Sequence, residues 1–299
     1  MHSIFAIEPE AINNWKDLRY VIEKFGINKG LLIGRYPKAW GKMVIEACQK
    51  NRVQGREFLM VVEKLNQIKK DRMVPLGLPY TPPDWCKNTL KEEIIHYLDA
   101  VIVKGKAINP KHHQLDAVDE IIFENHRETK VKRQAKYLAK AATYVLFNTA
   151  QMTIIDPYFT SDKKCIKVLN ELLLVAEIGK NNLKKVSIFM AFSKDPRSHN
   201  EAKSSYQDLL KQWTDKGIVF EITRLRDDAL QDDFHARYLV TDNGGLRYDR
   251  GFVEPNDHAK REQWTDVVCL ESETNKDLKA QYIDNLEPQY IVDKLMITS

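Results

Sequence analysis

From Asn13 to Lys70 the apolar residues recur at three- and four-residue spacing, which predicts helices. Trp15, Leu18, Val21 and Ile22 share one face, with Asn13-Asn14 placed to cap the helix and Phe25-Gly26 to end it. Pro37 opens a second helix through Trp40, Val44, Ile45 and Ala47. A third runs from Arg56 to Lys70, with Phe58, Leu59, Val62, Leu65 and Ile68 inward. Between Met73 and Pro83, four prolines and a glycine predict a loop. A helix from Asp84 to Ala100, a short apolar run Val101–Val103 and a polar loop from Lys104 to His113 follow. The spacing then predicts a long basic helix over Lys130–Phe147, its solvated face carrying Lys130, Lys132, Arg133, Lys136 and Lys140.

From Gln151 the period changes. Met152–Ile155, Val186–Phe192, Ile218–Ile222, Tyr238–Val240 and Val267–Leu270 are short, apolar and β-branched, and predict strands. They alternate with amphipathic helices over Lys163–Ile178, Asn200–Lys216 and Lys276–Leu286, the second ended by Gly217. Such alternation implies an α/β fold, a sheet with parallel pairs covered on both faces. The expected organisation is a mainly helical domain over 1–125, a connecting basic helix over 126–149 and an α/β domain over 150–299.

Length agrees with two domains, since 299 residues is about twice the usual domain size of roughly 150. Hydrophobic residues at 43% and charged residues at 29% are those of a globular protein. No apolar run approaches the roughly 18 residues of a membrane span. The opening Met1–Ala6 lacks a basic segment followed by a long apolar one, so no secretory signal is expected. The four cysteines, Cys48, Cys86, Cys165 and Cys269, form no CxxC pair. That argues against structural zinc and a disulfide framework, and for reduced thiols in a cytoplasmic protein. A net charge of +4 and a pI of about 8.6 are compatible with a polyanionic partner without demanding one.

The chemistry-bearing segment is Phe234–Gly245, which reads H-x-R-x-x-x-x-D followed by N-G-G. Residues two apart on a strand share a face, so His235 and Arg237 project together, an imidazole beside a fixed positive charge. An arginine grips a phosphate group bidentately. Asp156 and Tyr158 end the first strand of the same domain, and ligands of open α/β sheets sit outside the carboxyl ends of strands. Plainer roles compete: Asp156 capping a turn or pairing with Arg237, Arg237 paired with Asp242 or Asp156, and Gly244-Gly245 turning a hairpin. His112-His113 beside Asp116, Asp119 and Glu120 reads as a solvated loop rather than a metal site. No metal or other cofactor is expected. Trp15, Trp40, Trp85 and Tyr80 read as core rather than base-stacking residues. The run Lys29-Gly30…Gly34-Arg35-Tyr36-Pro37 places basic residues before a helix start, as an anion site would.

The H-x-R-x-x-x-x-D run resembles the H-x-K-x-x-x-x-D motif of the phospholipase D superfamily, with Arg237 in place of the lysine. Active members carry a Gly-Ser-x-Asn element about where this chain has Asp249-Arg250-Gly251-Phe252. With Asp242-Asn243-Gly244, that run is instead similar to the phospholipase-D-like domain at the C-terminus of certain microtubule-interacting-and-trafficking proteins, and to small prokaryotic relatives. The resemblance covers roughly Gln151 to Leu286 and implies a mixed sheet flanked by helices. It implies catalytic positions at His235, Arg237 and Asp242, and substrate-binding positions at Asp156, Tyr158, Asn243, Arg247 and Arg250. In active members a histidine attacks phosphorus while the basic residue stabilises the phosphoryl oxygens. Two motif copies make one site there, so a single copy implies a homodimer. Three functions follow as expectations. The first is a prokaryotic phosphodiester-binding protein holding DNA or RNA, by analogy alone in a phage-defence system or mobile element with partner proteins. The second is a metal-independent nuclease or phosphodiesterase using His235, and the third is a binder of anionic lipid.

Overall fold

The computed structural model describes residues 2–69, 72–95, 98–121, 127–179, 182–227 and 236–299. The chain divides into two units, Met1–Arg127 and Glu128–Ser299. Among the described residues no helix is long and apolar enough to cross a membrane.

The first unit is built on parallel strands, which corrects the expectation of a mainly helical domain. In chain order it contains β1 (Ser3–Ile7), α1 (Trp15–Lys24), β2 (Leu31–Arg35), α2 (Trp40–Lys50), α3 (Gly55–Gln67) and β3 (Met73–Pro75). The short helices α4 (Trp85–Thr89) and α5 (Glu92–Ile95) follow, replacing the single helix expected there, and then β4 (Ala100–Ile102), β5 (His112–His113) and α6 (Val118–Ile121). The sheet order is β3-β2-β1-β4-β5, and every neighbouring pair is parallel. Strands covered on both faces read as unbroken apolar runs such as Ile4–Ile7 and Leu31–Ile33, with no two-residue alternation to betray them.

The helices over the sheet follow the spacing more closely. Asn14 caps α1, its Oδ1 accepting from Asp17 N at 2.9 Å. Leu18 and Val21 of α1 join Phe5, Ile7, Phe25, Ile33, Trp40 and Val44 in one core. Trp40 and Trp85 are core residues, their indole N–H groups donating to Ile7 O at 2.6 Å and Tyr36 O at 2.9 Å. Lys29 and Arg35 stand at opposite ends of β2, and the Lys29 ammonium donates to Glu23 O.

The second unit begins earlier than expected. Residues over 128–132 form β6 (Glu128–Lys132), an edge strand paired with β12 (Trp264–Cys269), and not the start of a basic helix. Only α7 (Ala135–Ala141) and α8 (Thr143–Leu146) are helical in that stretch. Exposed lysine on an edge strand blocks pairing with other chains, which suits Lys130. The unit continues with β7 (Gln151–Ile155), α9 (Lys163–Ile178), β8 (Lys185–Ala191), α10 (His199–Thr214) and β9 (Val219–Leu225). Then come β10 (Tyr238–Thr241), β11 (Gly245–Tyr248), α11 (His258–Arg261), β12, α12 (Ser272–Lys279) and β13 (Ile291–Ile297).

The eight strands run in the order β13-β9-β8-β7-β10-β11-β12-β6. β7, β8 and β9 are mutually parallel and the other pairings antiparallel, so the unit is a mixed α/β sheet. Thr241 N donates to Gly244 O at 2.8 Å, closing the β10–β11 hairpin. Gly245 is fixed by space, because a Cβ there would lie 2.5 Å from Asn275 Oδ1. β13 was missed by the strand reading. Its alternation of half-buried and exposed residues is that of an edge strand, and it lies beside β9.

Candidate functional site

Strand direction brings four chain segments to one edge of the second sheet. The carboxyl ends of β6, β7 and β11 lie at that edge with the amino end of β10. Residues just beyond those ends therefore converge: Arg133 after β6, Asp156 and Tyr158 after β7, Arg237 before β10, and Asp249 and Arg250 after β11. With Lys164 from the first turn of α9 and Val253, they line a cleft of about 460 Å³.

At its floor Asp156 faces Arg237. The antiparallel register pairs Ile155 with Tyr238, so one step outward aligns these two. Asp156 is 3% exposed, and its Oδ1 lies 3.9 Å from Arg237 Nε. Its carboxylate also accepts from Tyr158 N at 2.9 Å and Phe252 N at 3.1 Å. Burial pushes the Asp156 pKa up, against the two amides and the guanidinium, which favour the charged form. Arg237 donates through Nη1 to Asp249 O at 2.7 Å, and its guanidinium carbon lies 4.9 Å from the centre of the Tyr158 ring. A cation over an aromatic face gains about 0.5–2 kcal/mol. Tyr158 thus orients Arg237 while remaining half open to solvent.

Gly251 makes this approach feasible. Its φ is +69°, and a Cβ there would stand 2.5 Å from Asp156 Oδ2 and 2.8 Å from Arg237 Cδ. The Arg250-Gly251-Phe252 run is a backbone device that lays the Phe252 amide on Asp156. The Phe252 ring is anchored below against Tyr248, with ring centres 4.6 Å apart.

The rim is basic. Arg133 has its Nε buried with no hydrogen-bond partner. An unmet buried donor costs about 1–3 kcal/mol. Burial first, and then the charges of Arg250 and Arg237, push the Arg133 pKa down. Three guanidiniums therefore repel one another across the cleft. Arg250 is only loosely balanced by Asp249, at 3.8 Å and with more than half its side chain exposed. Three guanidiniums and the Lys164 ammonium, itself paired with Asp162 at 3.3 Å, thus face two lining carboxylates, an arrangement that an incoming anion relieves. The first unit also has a cleft, of about 480 Å³, at the carboxyl ends of β1, β4 and β5. There Lys16 and Lys104 are matched by Asp17 and Asp116, so it offers an anion no net field.

Of the residues singled out in the sequence, Asp156, Tyr158, Arg237 and Arg250 come together. His235 lies outside the described residues. Asp242 and Asn243 sit beyond the far end of β10, away from the cleft. Asp242 Oδ2 accepts from Ala150 N at 3.1 Å, Gln151 N at 3.2 Å and Thr149 Oγ1 at 3.3 Å, securing the entry to β7. Asn243 Nδ2 donates to Phe147 O at 2.7 Å and Val145 O at 3.2 Å, at the end of α8. Arg247 is exposed on β11 and does not line the cleft. These three lie outside the cleft lined by Asp156, Tyr158, Arg237 and Arg250.

Arg224, also basic in sequence, is buried and bonded to Asp293 and to the carbonyls of Asp195 and Arg197. No group of three or more His, Cys, Asp or Glu able to hold a metal occurs among the described residues. Arg133, Lys164 and Asp249 were not anticipated as site residues. For Arg133 the signal was the polar alternation of residues 128–132, which ends a strand just before it.

No family model matches this chain, and no curated protein matches it. Among solved structures it is similar to that of TrmBL2, an archaeal chromatin protein whose structure shows a novel mode of DNA binding. The identity is 14%, with 88% of this chain and 75% of that one covered and a TM-score of 0.29, too low for the likeness to carry any argument.

Proposed function

We propose that the second unit is a phospholipase-D-like domain that binds the phosphate groups of nucleic acid in the Arg133–Arg237–Arg250 cleft. The observation carrying this reading is the excess of cations there, with a buried and unpartnered Arg133 Nε. The described lining supplies guanidiniums, an ammonium, carboxylates and a phenol, and the guanidiniums and ammonium suit the binding of phosphate oxygens. Guanidiniums bond phosphate oxygens in parallel pairs, and strand ends hold such groups more rigidly than loops do. The placement of Asp156 and Arg237 at neighbouring strand ends supports the resemblance drawn from the H-x-R spacing.

The test is the affinity of the full chain for a labelled single-stranded 30-mer over a salt series. Phosphate contacts release counterions, so log K should fall linearly with log salt, by about 0.7 per phosphate neutralised on single strands. Absent binding at low salt, or affinity indifferent to salt, overturns the reading.

A further inference from the structure

Resting on that reading, we propose that the cleft recognises the dianionic phosphomonoester end of a nucleic-acid strand in preference to an internal phosphodiester. Charge matching is the first argument. The guanidiniums of Arg133, Arg237 and Arg250 and the Lys164 ammonium, which is also paired with Asp162 at 3.3 Å, face Asp156 and Asp249 across the described lining, leaving cations in excess. A terminal phosphate carries close to two negative charges at neutral pH, whereas an internal diester carries one.

Donor geometry is the second. A monoester presents three terminal oxygens and an internal diester two. Three arginines surround the space, and one of them, Arg133, has a buried N–H still without an acceptor.

Third, the cations flanking the cleft beside Arg133 and along α9 beyond Lys164 are already paired. Lys132, next to Arg133, is held by Glu262 at 2.5 Å. Lys167, one turn beyond Lys164, is held by Glu254 at 2.5 Å, and Arg261 lies 3.8 Å from the same carboxylate. A continuous strand leaving the cleft on these sides would meet neutralised cations and two glutamates. An end, with its charge concentrated in one group, fits a pit better than a track.

The experiment compares four single-stranded ligands of one sequence on the full chain at low salt. One carries a 5′-phosphate, one the same phosphate as its methyl ester, one a 5′-hydroxyl, and one is a closed circle without ends. The phosphorylated strand should bind about tenfold more tightly than the other three, the scale of one extra charge-assisted contact. Inorganic phosphate should compete, and Arg133→Lys should narrow the difference. Equal binding of the circle or the methyl ester overturns this inference and leaves the phosphodiester reading standing. Failure of all four strands to bind overturns that reading as well, including the case where only phosphatidic acid vesicles bind.

Discussion

Gly251 and Asp242 show how differently single residues of one motif are used. Gly251 combines a positive φ with a Cβ position already occupied by the Asp156 carboxylate and the Arg237 side chain. Gly251→Ala should cost about 2 kcal/mol or more, from the left-handed backbone and the displaced ion pair together, with weakened anion binding. Denaturant unfolding beside a phosphate titration measures both. Asp242 accepts from Thr149, Ala150 and Gln151 at the far end of β10. Asp242→Ala should lower stability by about 1 kcal/mol and leave anion affinity unchanged. A loss of affinity with stability intact would return Asp242 to the site. Asp156 and Arg237 were legible in sequence because strand-end position and two-residue spacing suffice to place them. The roles of Asp242 and Asn243 were not, because what a turn side chain bonds depends on a partner segment roughly 90 residues away in sequence.

Among the elements, amphipathic helices were the easiest to read. The Lys163–Ile178 helix was placed at its observed ends because burial on one face imposes its period. The strands of the first sheet escaped because their residues are buried on both faces, and β6 because charged residues alternate along an edge. β13 adds to its pairing with β9 a buried ion pair that no local pattern announces. Arg224 of β9, 1% exposed, forms a two-point ion pair with Asp293 of β13. Removing one partner of such a pair costs about 3–5 kcal/mol, so Asp293→Ala should strongly destabilise the chain in urea. The Arg224 bonds, foremost, and His199 hold the Asp293 pKa below its ordinary 3.8. A depressed carboxylate stabilises the fold above its unfolded pKa and loses that contribution as pH falls through the folded value. The penalty of Asp293→Ala should therefore be full at pH 7 and shrink only below about pH 4. A penalty equal at pH 7 and pH 2 would contradict this role for the pair.

For the whole molecule, the sequence conveyed two domains and an α/β second half, but placed the boundary inside what is one unit. Arg133 illustrates the consequence. It was assigned to a connecting helix, yet it follows the last strand of the sheet and completes the cleft. Long-range pairing of β6 with β12 makes that assignment, and pairing over such a separation is invisible to local periodicity. The central claim, that these arginines hold phosphate, is tested most directly by the salt dependence of single-strand binding in wild type and Arg133→Ala. Loss of one phosphate contact should reduce the slope of log K against log salt by about 0.7 and weaken binding at low salt. An unchanged slope and affinity in a folded Arg133→Ala protein would contradict it.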